Sequence, residues 1–215
     1  ERTMPRHLLV LTSFLFVLTG CGPSGDQPVP VAAQPAASEA AGESADAAFD
    51  RALDDMTRAF FYHNPEQATI YGVSELVVPR TAHRLKNRSP LGETGRREEL
   101  GAALERMLAL DTSELTGNRP RTHAVVTTLM GGALAPAAVA DFGTTVDGFG
   151  FYFLPYTINQ ISGPTVDIPN FLNSKQPVGN REEADAYLVR LEAVQEALDG
   201  ALESFRSAVS KNGAI

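Results

Sequence analysis

Asn159 and Gln160 stand side by side in the stretch PYTINQISG, Pro155 to Gly163, close to Tyr156 and just after the aromatic residues Phe149, Phe151, Tyr152 and Phe153. A side-chain amide carries donors and an acceptor together, and leaving such groups buried and unmet costs about 1 to 3 kcal/mol each. The sequence therefore predicts partners for them. They could tie down a loop whose backbone is freed from regular ladders by Pro155, Gly163, Pro164 and Pro169. Alternatively, they could line a cleft that binds the backbone of a peptide-like substrate. Residue physics favours the first use; under the second, Tyr156, Asn159 and Gln160 are the candidate cleft residues.

Other reactive types are sparse. The four histidines, His7, His63, His83 and His123, are isolated in sequence and none is followed by Glu. A zinc hydrolase needs imidazoles one helical turn apart and a carboxylate beside the bound water, so no metal ligand and no catalytic residue is assigned. Asp54 with Asp55, and Glu98 with Glu99, are adjacent pairs whose members diverge by about 100 degrees on a helix, which makes them solvated faces. Ser162 lacks the surroundings of a nucleophile elbow, and the glycines of GGALAP lack the strand-to-helix context of a phosphate loop.

The one cysteine, Cys21, ends the series Leu18, Thr19, Gly20, Cys21, which looks like a bacterial lipobox. Arg6 precedes an apolar run from Leu8 to Leu18. That run is about half the roughly 20 residues needed to span a bilayer, so it reads as a signal peptide. Cys21 is the predicted lipidation site, and acyl chains there would hold the protein on a membrane. Residues 1–20 are then leader and signal. Residues 21–45, rich in Pro, Ala, Gly, Ser and Glu, have too little apolar surface to offset ordering entropy and read as a disordered tether.

Elements capable of positioning a site begin near Asp46. Phe49, Leu53, Met56 and Phe60 share a helical stripe that should end before Asn64, ahead of Pro65. A short helix from Pro65 to Tyr71 is stopped by Gly72. Residues 74–92, with two prolines and four basic side chains, read as an exposed connection. Helices are predicted from Thr94 to about Asp111 and after Asn118, the latter weakened by Gly131, Gly132 and Pro136. The span 142–179 reads as irregular. From Asn180, with Glu183 at capping-box spacing, one long helix is predicted, its stripe at Ala184, Leu191, Leu198 and Phe205 accompanied by Tyr187, Val194, Ala201 and Ala208. No useful strand pattern appears, so the fold class is all-α, with residues 46–215 a partial helical domain.

The composition is that of a globular chain, 43% apolar and 20% charged, with a formal charge of −8 over 215 residues. Scattered basic residues on an acidic chain argue against a nucleic-acid partner.

Three segments carry a family resemblance: PYTINQISG, then VDIPNFLNSKQPV, then ADAYLVRLEAVQEALDGALESFR. They resemble the bacterial family catalogued as domain of unknown function 885, through Pro155, Tyr156, Asn159, Gln160, Ser162 and Gly163, then Asp167, Pro169, Phe171, Leu172 and Pro177, then Tyr187, Leu188, Arg190, Leu191, Leu198 and Asp199. Pro65, Ala68, Thr69 and Gly72 are similar to a segment near the start of that domain. The resemblance implies a longer, mainly helical, often secreted or lipidated zinc metallopeptidase-like protein of gluzincin type, whose zinc helix lies downstream of the part present here. On that reading the chain is the amino-terminal portion of a cell-envelope hydrolase, holds no cofactor itself, and is inactive alone. The alternative is a non-enzymatic envelope lipoprotein that binds or scaffolds.

Overall fold

The computed structural model describes residues 43–139, 143–145, 153–154, 158 and 161–212, all within one compact unit, Gly42–Ile215. Helix α1, Ala45–His63, starts at Ser44, whose hydroxyl accepts from the Ala47 N–H at 3.2 Å. Its buried line is Phe49, Ala52, Met56 and Ala59, rotated from the predicted stripe toward the alanines, because small side chains let a neighbouring helix approach. Leu53 and Phe60 flank this line, partly buried. The short α2, Pro65–Ile70, ends as expected at Gly72, which takes φ +66°.

Helix α3, Pro90–Leu108, begins four residues ahead of the predicted Thr94. Ser89 caps it by accepting from Gly92 N–H at 3.1 Å, and Pro90 occupies the first turn, where a missing N–H costs nothing. Gly92 belongs in this turn for a packing reason: a Cβ there would lie 2.4 Å from the Asn87 side chain. Helix α4, Arg119–Leu134, runs through both glycines and passes into a 3₁₀ turn, Ala135–Ala138. Its start is pinned to α1 by Arg119, which donates to both oxygens of Asp50 at 2.8 and 2.7 Å. Helices α1, α3 and α4 enclose the larger core, where Phe49, Met56, Leu100, Met107 and Met130 meet.

The span predicted as irregular is partly regular. Thr144–Thr145 (β1) and Phe153–Leu154 (β2) form a two-residue antiparallel ladder, too small to alter the all-α class. Pro164–Ser174 is a full helix, α5, despite Pro169 inside it. Burial of Ile168, Phe171 and Leu172 offsets the proline penalty, and the Asp167 carboxylate accepts from Gly163 N–H at 2.9 Å to close the first turn.

The predicted long carboxyl-side helix is two helices, α6, Arg181–Glu192, and α7, Val194–Asn212, parted at Ala193. Asn180 caps α6 by accepting from Glu183 N–H at 2.9 Å, while Glu183 reaches back to Gly179 N–H at 2.6 Å. The inward face keeps Tyr187, Val194 and Ala201 of the predicted set but not Leu191 and Phe205. Ala186, Arg190, Ala197 and Ala201 are buried, with Tyr187 and Val194 beside them, whereas Leu191 and Phe205 are exposed. The cause is close approach: a Cβ at Gly200 would lie 2.9 Å from Ser89 N, and Ser204 Oγ donates to the Arg88 carbonyl at 2.6 Å. Only small side chains fit against that turn.

Candidate functional site

Arg190 is the most deeply buried cation among the described residues and organises the ground around it. Its Nε donates to the Arg84 carbonyl at 2.9 Å. One terminal nitrogen donates to the Gln176 amide oxygen. The other reaches the Thr81 carbonyl at 2.6 Å, the Thr69 hydroxyl at 2.8 Å and the Pro65 carbonyl at 3.2 Å. Its guanidinium lies 4.8 Å from the centre of the Phe171 ring. Burial lowers its pKa to about 10, with Glu66 and Glu75 pulling the other way, so the group stays charged at neutral pH. A planar fork with five N–H donors thus joins α2, the 81–84 turn, α5 and α6, a task no other side chain has the geometry for.

This corrects the reading of residues 74–92 as an exposed connection. Val78, Thr81 and Lys86 are buried, and the Arg88 side chain is only 11% exposed. Glu66 draws the segment in: both its oxygens accept from Lys86 N–H, at 3.1 and 3.0 Å, and one accepts from Arg88 at 3.1 Å. Polar partners placed elsewhere in the chain, invisible to local composition, bury this basic segment.

Between α2, residues 86–88 and α5 lies a cleft of about 260 Å³. Its charged lining is Glu66, Lys86, Arg88, Asp167 and Lys175, and its apolar lining is Ile70 and Phe171. Phe171 is shared with Arg190, so the cleft wall and the buried arginine are one construction. Asn64, also lining it, is buried and donates from its amide to the Phe60 carbonyl at 2.8 Å.

The histidines lie apart from this cleft. His63 Nε2 meets Glu99 at 2.6 Å across α1 and α3, and burial lowers its pKa against the opposing pull of Glu99. His83 Nδ1 is 3.7 Å from Glu75, and His123 Nε2 is 2.8 Å from the Met107 carbonyl. Among the described residues no three metal-ligating side chains come together. His7 and Cys21, and the candidate cleft residues Tyr156, Asn159 and Gln160, lie outside the described residues. The sequence sets the last of these three positions before Gly163, the residue that leads into α5.

Four residues of the resemblance have a common place. Pro65 and Thr69, Phe171 and Arg190 are separated by up to 125 positions yet meet in one hydrogen-bonded and stacked cluster. The family of bacterial proteins of unknown function DUF885 matches residues 65–214, most of the chain. The chain belongs to this family. The DUF885 fold is also recognisable in a solved structure, described as that of a "putative lipoprotein" from Colwellia psychrerythraea, with a TM-score of 0.67 at 22% identity. The match covers 79% of the present chain and 28% of the Colwellia chain, so this DUF885 chain spans little more than a quarter of that relative. No curated protein matches it.

Sequence reading overlooked Glu66 and Lys86, and quoted Arg190 and Phe171 only for the resemblance. A usable signal existed for Arg190: it sits in the small apolar series Ala186, Val194, Ala197, Ala201 at helical spacing, where a cation must find buried acceptors.

Proposed function

We propose that this chain is the amino-terminal helical part of a lipid-anchored, metallopeptidase-like hydrolase of the bacterial cell envelope. In this reading it contributes one wall of a substrate cleft, while the polypeptide that would hold zinc is not part of the 215 residues. The observation that carries the reading is one of proportion: a shared fold covers 79% of this chain and 28% of a relative described as a lipoprotein. The Leu18 to Cys21 series supports lipid anchoring independently, and among the described residues no helix is long and apolar enough to cross a membrane. The cleft against α5 supports the substrate-binding part, and Tyr156, Asn159 and Gln160 immediately precede α5 in the sequence as further cleft residues.

The gene is the first test. An open frame continuing past Ile215 into a helix with a His-Glu zinc pattern supports the reading; a stop codon there sinks it. Anchoring is tested by expressing the chain in a bacterial host with labelled palmitate, where Cys21→Ala should abolish label and release the chain from membranes. A second reading, a binding or scaffold lipoprotein without chemistry, is favoured by the exposed apolar face of α6 and α7, at Leu188, Leu191, Leu202 and Phe205. Peptide hydrolysis by the continued protein, lost on zinc removal, separates the two.

A further inference from the structure

The cleft between α2 and α5 is locally cationic on a chain whose formal charge is −8. Lys86, Arg88 and Lys175 line it against Glu66 and Asp167, and the buried Arg190 stands behind Phe171. Both carboxylates are turned to structural tasks. Glu66 accepts from Lys86 N–H and from Arg88, and Asp167 accepts from Gly163 N–H at the start of α5. Arg88 and Glu66 form an ion pair, so Lys86 and Lys175 against Asp167 leave the lining one positive charge in excess, and Lys175 is exposed at the C-terminal end of α5. A concave site with low-dielectric walls concentrates the field of its excess charge, so this cleft attracts anions even though the molecule as a whole repels them.

The remaining lining decides which anion. Ile70 and Phe171 provide an apolar wall, and Asn170 and Ser174 add polar side chains. A volume of about 260 Å³ is too small for an extended ligand but suits one or two residues. We infer that the cleft binds the free carboxyl-terminal end of a short peptide, with its carboxylate toward the basic residues and its last side chain against Ile70 and Phe171. This rests on the reading of the cleft as a substrate surface and adds the end of the substrate that it holds.

The test uses the full chain in detergent, titrated at low salt with N-acetyl-leucine and with N-acetyl-leucinamide, and followed by calorimetry. The two probes have the same size and apolar side chain and differ in the carboxylate. A charge-assisted contact makes the acid bind about tenfold more tightly than the amide. Lys175→Glu, at an exposed position, should weaken the acid about tenfold and leave the melting temperature unchanged. Lys86→Met should weaken it as well, and Lys175→Glu carries the test if the buried substitution prevents folding. Equal binding of acid and amide, no binding of the acid, inorganic phosphate binding as tightly as the acid, or indifference to Lys175→Glu would each overturn the inference. None of these readouts involves turnover, so hydrolysis by a longer form of the protein could stand while this fails.

Discussion

Arg190 gathers five acceptors from three separate segments, and three of those acceptors are backbone carbonyls that no substitution can remove. Replacing it with Met would take a donor from each of these groups, a loss of about 3 to 5 kcal/mol. Arg190→Lys should also be clearly destabilised, because three ammonium donors on a flexible stem cannot span the set. Urea melts followed by circular dichroism would measure both, and a lysine variant as stable as the parent would contradict the geometry. His63 supplies a pH dependence at the same scale. Burial holds its pKa below 6.5, so as pH falls through 6.5 the unfolded chain takes up the proton before the folded one does. Stability should therefore fall as the pH is lowered from about 7 toward 5, and His63→Gln should flatten that part of the curve. Asp46, Asp50 and Asp111 also have lowered pKa values, starting from 3.8, chiefly through hydrogen bonds to Thr116, Arg119 and Ser113 respectively. Their contribution is lost only at more acid pH, which keeps the histidine window distinct.

Several starts and stops were legible because the punctuating residues act locally, whereas α5, read as irregular, and the break at Ala193 were not. Pro65 and Gly72 bound α2 through their backbone geometry, and Asn180 begins α6 through its side-chain cap. Burial was less legible, since it depends on partners distant in the chain. Leu191 and Phe205 carry the larger apolar surface, yet α7 turns Ala197, Gly200 and Ala201 inward because the Arg88 and Ser89 backbone lies against it. Glycine substitutions test that explanation. Gly200→Ala would force a methyl against backbone atoms at 2.9 to 3.3 Å, and overpacking of this kind costs about 1 to 3 kcal/mol. Gly95→Ala and Gly101→Ala, in α3 with nothing within 4 Å of the added carbon, should instead gain about 0.5 to 1 kcal/mol from helix propensity. Opposite shifts in urea midpoint are expected, and a neutral Gly200→Ala would remove the reason given for the inward face of α7.

At the scale of the whole molecule, the same inversion of α6 and α7 leaves a row of large apolar side chains facing outward. Leu188 is 54% exposed, Leu191 48% and Phe205 45%, with Leu202 between the last two and Leu198 partly exposed. The spacing of three within α6, and those of four and three within α7, put these side chains on one face of each helix. A contiguous stripe of this kind differs from scattered surface leucines, because water can be released along its whole length by a single partner. The chain by itself should consequently associate through this face. Sedimentation velocity on the full chain with Cys21→Ala, in detergent-free buffer below its solubility limit, is expected to give concentration-dependent species larger than a monomer. The double change Leu191→Glu with Phe205→Glu should return it to a monomer, since both positions are exposed and make little contribution to the core. If the parent chain instead remains a monodisperse monomer that melts cooperatively, the stripe needs no cover, either from a partner or from further polypeptide.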